Sequence, residues 1–252
     1  MIVIPLRKRT IERIKNIAKK SYPNECCGFV IKSGKNQIVY PTENIHENKK
    51  DHFKIDPLKL DEARELGTIL CVYHSHTNGN IKLSLNDLWG SDVSRIPIFL
   101  VSKHQDELYY DYYDPNKINP YLGRNWDWGR DDCYSLVRDW YEKELNIILS
   151  PFRRYETEQI DLNWDRFQEN FRKEGFEQVI EGVPNKNESI KKNDIIMMAI
   201  GSNNVNHIAV YINEVNNLIL HHLKDRLSEY HYYDGWWREV TRCVVRHKNY
   251  VN

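Results

Sequence analysis

Apolar positions fall into two blocks, separated by a polar, proline-bearing break. In the first block Ile11, Ile14, Ile17 and Ala18 recur at helical spacing, so a helix is expected with Thr10 as its cap and Pro23 as its stop. Cys27 to Ile31 and Gln37 to Tyr40 read as strands around a Ser33-Gly34 turn. Leu58 to Leu66 reads as a helix ended by Gly67, and Thr68 to His76 as a strand. Ser84 caps another expected helix, and Ile96 to Ser102 with Glu107 to Tyr113 form a closing strand pair. Residues 114–123 carry Pro115 and Pro120 without periodicity. Beyond them Asp132 caps a helix with Leu136, Val137 and Trp140 on one face, and Trp164, Phe167 and Phe171 keep helical spacing. Strands are expected at 194–199, 207–212, 218–223 and 240–246. The pattern predicts an α+β protein of two domains, 1–115 and 123–252, with a linker at 116–122.

Charge and cysteine usage narrow the classes. Lys+Arg and Asp+Glu both number 36, so there is no basic excess and no nucleic-acid partner is expected. No apolar run approaches the roughly 20 residues of a membrane span, and no apolar stretch precedes a signal-type cleavage site. The five cysteines, 26, 27, 71, 133 and 243, form no regular framework, which points to a reduced protein. Cys26, Cys27, Cys243 and the Trp236-Trp237 pair read as core.

Two constellations carry chemistry. Alternation along residues 70–76 puts His74 and His76 on one strand face and Cys71, Tyr73 and Ser75 on the other. Cys71 is thereby removed as a partner ligand. Asp87 lies one helical turn after Ser84, so His74, His76 and Asp87 can hold zinc with a fourth position open for water. Glu25 is the candidate general base and Ser84 the candidate oxyanion donor. This set, with Glu25-Cys26-Cys27-Gly28 and Tyr73-His74-Ser75-His76, resembles the JAMM/MPN+ metalloproteases, or JAB domains, over about residues 1–113. The resemblance implies the same roles for these residues. Thr77 and Leu83 stand where that family usually has proline.

In the second constellation Cys133 occupies the first turn of its helix, where the helix dipole favours thiolate. Asp131 and Asp132 oppose this, so a histidine partner is needed. His207 begins a strand and shares a face with Ala209 and Tyr211. If Ile212 pairs with Leu218, His221 joins that face; if the turn shortens by one residue, His222 does. His221 is preferred. Asp132-Cys133-Tyr134-Ser135-Leu136-Val137, His207-Ile208-Ala209-Val210-Tyr211-Ile212 and Ile219-Leu220-His221-His222 resemble motifs of the NlpC/P60 cysteine peptidases. Tyr134 and Ser135 replace that family's usual Ser and Gly.

A JAB domain followed by an NlpC/P60 domain resembles the tail-tip proteins of lambda-type tailed phages. Gly235-Trp236-Trp237 and Val245-Arg246-His247 belong to that likeness. It implies a virion tail-tip component, made in the host cytoplasm, that cuts peptidoglycan stem peptides at the wall and contacts other tail-tip proteins. The zinc site would process a tail protein or assist murein cleavage. A structural plug or assembly factor with silent sites is the alternative, and a cellular isopeptidase fits the fused cysteine site less well.

Overall fold

The computed structural model describes residues 5–104, 107–154, 166–185 and 189–249. Contacts divide the chain into two units, Met1–Lys117 and Ile118–Asn252. In the first, a five-stranded sheet has the order β2-β1-β3-β4-β5. Its strands are β1 (Cys27–Ser33), β2 (Asn36–Thr42), β3 (Thr68–His76), β4 (Ile98–His104) and β5 (Glu107–Tyr113). Only β3 and β4 run parallel, and α3 (Leu85–Ser94) lies in the crossover between them. Helix α1 (Lys8–Ser21) covers one sheet face, where Ile14 meets Val30, Cys71, Tyr73 and Phe99. Helix α2 (Pro57–Leu66) covers the other, where Ala63 meets Phe29 and Ile31. Period-two alternation thus fills both faces, and His74 and His76 share the α2 side with Val72.

Thr10 is not the cap of α1. The helix begins at Lys8 after Arg7, and Thr10 lies buried inside it, its hydroxyl donating to Gln37 Oε1 at 2.9 Å. A tertiary partner on β2 has taken the hydroxyl that a cap would use. Strand β4 starts at Ile98, later than Ile96, because Pro97 has no N–H for a ladder.

The second unit holds a six-stranded antiparallel sheet in the order β10-β9-β8-β7-β11-β6. Its strands are β6 (Phe176–Glu181), β7 (Ile195–Met198), β8 (His207–Asn213), β9 (Leu218–His221), β10 (Glu229–Tyr232) and β11 (Thr241–His247). Helix α4 (Cys133–Leu145) packs Leu136, Val137, Trp140 and Tyr141 onto Ile195, Met197, Ile208 and Val210. Helix α5 (Arg166–Lys173) adds Phe167 and Phe171 to this core; Trp164 lies outside the described residues. The opposite face packs Ile196, Met198, Ala209, Tyr211 and Ile219 around Tyr233.

Several elements depart from the apolar pattern. Strands β6 and β10 and helix α6 (Gly235–Glu239) were not expected. Both strands are sheet edges of mixed polarity, so they lack the apolar run that marks a central strand. Strand β9 stops at His221, short of Leu223. Trp236 is half exposed rather than core, while Trp237 packs partly buried on the Tyr233 side of the sheet. Residues 119–124, where much of the linker was expected, are tied to the second unit. Buried Arg124 binds Asp139 at 2.7 Å and the carbonyls of Asn119 and Pro120, and Gly123 N–H donates to Ser228 O.

Gly28 marks a close approach within the sheet of the first unit. A Cβ there would stand 2.3 Å from the Tyr40 carbonyl oxygen and 2.8 Å from Tyr73 Oη. Gly28→Ala is therefore expected to lose about 1–3 kcal/mol of stability through overpacking. Urea unfolding of the first unit checks it, and an unchanged midpoint contradicts the close approach.

Candidate active sites

In the first unit, β3 and the start of α3 bring three donor atoms together. His74 Nε2 and His76 Nε2 lie 3.2 Å apart, and Asp87 Oδ2 lies 3.4 and 3.5 Å from them. A point equidistant from the three sits about 1.9 Å from each, close to the roughly 2.0–2.2 Å of zinc–ligand bonds. His76 Nδ1 faces the Asn80 carbonyl at 3.0 Å, which assigns the ring proton to Nδ1 and leaves Nε2 as a lone pair. His74 is fully buried and stacks on Phe53 at 4.5 Å. The donor set, its convergence and the carbonyl behind His76 fit a zinc ion.

A capping box orients Asp87. Ser84 N–H and Ser84 Oγ donate to Asp87 Oδ2 at 2.8 and 2.6 Å, and Asp87 N–H returns a bond to Ser84 Oγ at 3.2 Å. Burial acts to raise the Asp87 pKa, but the two imidazoles and Ser84 outweigh it and hold the carboxyl below its ordinary range. Burial likewise opposes charge on His76, yet Asp87 and the Asn80 carbonyl raise its pKa. Glu25 sits between α1 and β1, with its backbone held by Lys49 O and Asn44 Nδ2. Its Oε1 is buried without a partner, and burial pushes the carboxyl up to about 8. Glu25, His76, Ser84 and Asp87 line one cavity of about 750 Å³ with apolar Phe53 and Ile55.

In the second unit, Asp132 caps α4 and places Cys133 in the first turn, with the N–H groups of Tyr134 and Ile208 facing the sulfur. Burial and then Asp132 push the thiol up to about 12, against Arg154 and those N–H groups. His207 Nε2 lies 3.1 Å from His221 Nδ1. Burial, followed by the neighbouring histidines, holds His207 well below its ordinary value and brings His221 to about 3. Both imidazoles are therefore neutral at pH 7 and share their contact through one proton. Among the described residues no hydrogen bond joins Cys133 to His207.

Face parity reaches His221 by an irregular route. Ala209 pairs with His221 and Tyr211 with Ile219, but Leu218 pairs with Asn213 because Ile212 is bulged out. The bulge absorbs one residue at the turn and leaves the parity of His207 and His221 intact. His222 lies past the strand, its Nε2 at 3.1 Å from Arg226 O and its ring edge against Trp126.

Comparison with known proteins divides the chain in the same way. The family model for prokaryotic homologs of the JAB domain matches residues 7–90, and that of the NlpC/P60 family matches 123–246. The chain joins a JAB domain to an NlpC/P60 domain. It is 28% identical over 251 residues to tail tip assembly protein K of Escherichia phage N15, covering 97% of this chain and 96% of that protein. It is 28% identical over 189 residues to tail tip assembly protein K of Escherichia phage lambda, covering 74% and 86%. A JAB1/MPN domain protein from Archaeoglobus fulgidus aligns at 18% identity over 42% of this chain and 84% of that one, with a TM-score of 0.29.

In the JAB domain other bonds hold the loop where family prolines are absent. Thr77 Oγ1 donates to Lys50 O at 2.8 Å. Leu83 N–H, which a proline would lack, donates to Asp111 Oδ2 at 3.0 Å. Sequence reasoning missed Asp111, which acts across the fold, and Asn80, which acts through a backbone carbonyl; neither carries a motif.

In the NlpC/P60 domain it missed Arg154 and Trp237. Arg154 Nε and Nη2 donate to the two oxygens of fully buried Asp132 at 2.9 and 2.8 Å, and its guanidinium lies 5.0 Å from the Tyr134 ring. The carboxylate beside Cys133 is thus paired with a buried guanidinium. Trp237 sets its ring edge-on to His221 at 4.5 Å. Removing the fork leaves a buried unpaired carboxylate, so Arg154→Met is expected to cost about 3–5 kcal/mol. Urea unfolding read by tryptophan fluorescence checks this; a loss below ~1 kcal/mol contradicts it.

Proposed function

We propose that this chain is a phage tail-tip protein whose NlpC/P60 domain cleaves peptide bonds of murein stems or cross-links through Cys133. The hydrogen-bonded His207–His221 pair, in one domain with a cysteine at a helix N-terminus, carries the reading. Near full-length similarity to one tail tip assembly protein, and similarity over 74% of the chain to a second, supports the setting, with other tail-tip proteins as partners. No described helix is long and apolar enough to cross a membrane.

His207 Nε2 is engaged by His221, so Nδ1 is the nitrogen left to accept the thiol proton. The thiolate attacks the peptide carbonyl carbon. His207 returns the proton to the leaving amine as the C–N bond breaks, leaving a thioester. Water then hydrolyses the thioester, with His207 accepting and returning a proton. His221 holds the tautomer and ring plane of His207.

The JAB domain is proposed as a second, zinc-dependent peptidase that processes a tail protein or assists at the wall. His74, His76 and Asp87 would hold the zinc, which supplies Lewis-acid activation of water and carbonyl when bound. Glu25 has no bond to Oε1 and burial raises its pKa to about 8, so it serves as the base in its ionised form and passes the proton it takes to a leaving amine. Ser84 gives its one proton to Asp87 here, so its role as oxyanion donor requires the hydroxyl to rotate away.

Digestion of purified murein, with mass analysis of the fragments, tests the cysteine site. Wild type is expected to release stem-peptide fragments and Cys133→Ala to lose at least a hundredfold of that rate; unchanged release removes Cys133 as nucleophile. Metal analysis after purification without chelators tests the JAB site. The first site is expected to contribute one zinc that His74→Ala loses, and a wild-type preparation that neither holds nor takes up zinc contradicts it. If phage carrying either substitution still assemble and infect normally, the structural role replaces the enzymatic one.

A further inference from the structure

A cluster outside the zinc constellation surrounds the far side of His221. Strands β9 and β10 pair Glu229 directly opposite His221, and His231 follows two residues on, so all three side chains share one sheet face. One donor atom from each lies within 4.8 Å of the others. His221 is 1% exposed, yet its Nε2 has no partner. His231 Nδ1 is likewise buried and unpartnered, and His231 Nε2 lies 3.6 Å from Glu229 Oε1, beyond hydrogen-bond reach. Trp237 closes one side, 4.5 Å from the His221 ring and 5.0 Å from that of His231. Glu229 and His231 remain partly exposed, which leaves a route from solvent.

We propose that His221, Glu229 and His231 form a second site for a divalent transition ion of the zinc type, and that an ion there silences the cysteine site. Two imidazoles and one carboxylate are a common zinc donor set. The silencing follows from proton placement and rests on the reading of His207 as the base. In the working arrangement His207 Nε2–H donates to His221 Nδ1, so His207 Nδ1 keeps a lone pair for the Cys133 proton, and His221 carries its own proton on Nε2. A metal ion needs the lone pair of His221 Nε2. The His221 proton then sits on Nδ1 and donates to His207 Nε2, and the His207 proton moves to Nδ1. No proton is gained or lost, but the nitrogen that should accept from the thiol now carries a hydrogen.

Zinc titration against a chromogenic chelator tests the site, with the first site removed by Asp87→Ala. Wild type is expected to take two equivalents, Asp87→Ala one, and Asp87→Ala with His231→Ala to bind at least tenfold more weakly. Glu229→Gln, which keeps side-chain volume, is expected to weaken the same equivalent. Absence of zinc binding in Asp87→Ala, or an unchanged equivalent after His231→Ala, overturns the site. Murein release then tests the silencing, each variant compared with its own metal-free rate. One equivalent of zinc is expected to slow Asp87→Ala at least tenfold and to leave Asp87→Ala/His231→Ala within twofold. Equal inhibition of both places the zinc on Cys133 itself and overturns the silencing. If metal-free protein releases no fragments at all, the peptidase reading fails, and the titration alone decides the metal site.

Discussion

Side chains on a strand alternate between faces, and both chemical centres depend on that alternation. On β3 it sends Cys71 and Tyr73 into the core under α1 and His74 and His76 toward α3. On β8, β9 and β10 it aligns His207, His221, Glu229 and His231 on one face of three adjacent strands. A one-residue slip would reverse every one of these positions, so register is as much a chemical requirement as a packing one. The bulge at Ile212 sits at the turn, where an irregularity leaves the parity of His207 and His221 unchanged.

Each centre also uses a helix start. In α3 the Ser84–Asp87 capping box aims a carboxylate oxygen at two imidazoles; in α4 the Asp132–Ser135 box fixes the residue that precedes Cys133. The electrostatic consequences differ. Asp87 is held ionised by His74, His76 and Ser84, which suits a cation ligand. Burial works against charge on Asp132, but Arg154 holds it ionised, and that charge still opposes thiolate at Cys133 more than Arg154 relieves it. Burial remains the largest influence on Cys133, and it keeps the resting thiol protonated.

Much of each constellation was legible because its chemistry recurs at short spacing. His74-Ser75-His76, Ser84 with Asp87, and Asp132-Cys133 are local patterns with local geometry. Arg154 and Asp111 were not legible, since each acts on a partner brought near by folding, 22 residues away at Asp132 and 28 at Leu83; Asn80 lies only four residues from His76 but acts through its backbone carbonyl, which no side-chain motif marks. Glu229-Tyr230-His231 does carry a visible alternation, but β10 is an exposed edge strand and lacks the apolar repeat that draws notice. Thr10 shows the converse: a residue well suited to capping was taken by Gln37 on a neighbouring strand.

The amino-acid sequence alone determined the two-domain α+β plan, the order of its apolar strands and main helices and the faces of those strands, because periodicity and capping are properties of neighbouring residues. It also determined which histidines could share a face with His207, leaving His221 and His222 as alternatives. Only the tertiary structure decided between them, by pairing Ala209 with His221 and turning His222 to Arg226. It alone opposed Glu229 to His221 and placed Trp237 against that ring, since cross-strand register and distant packing are fixed by the folded sheet.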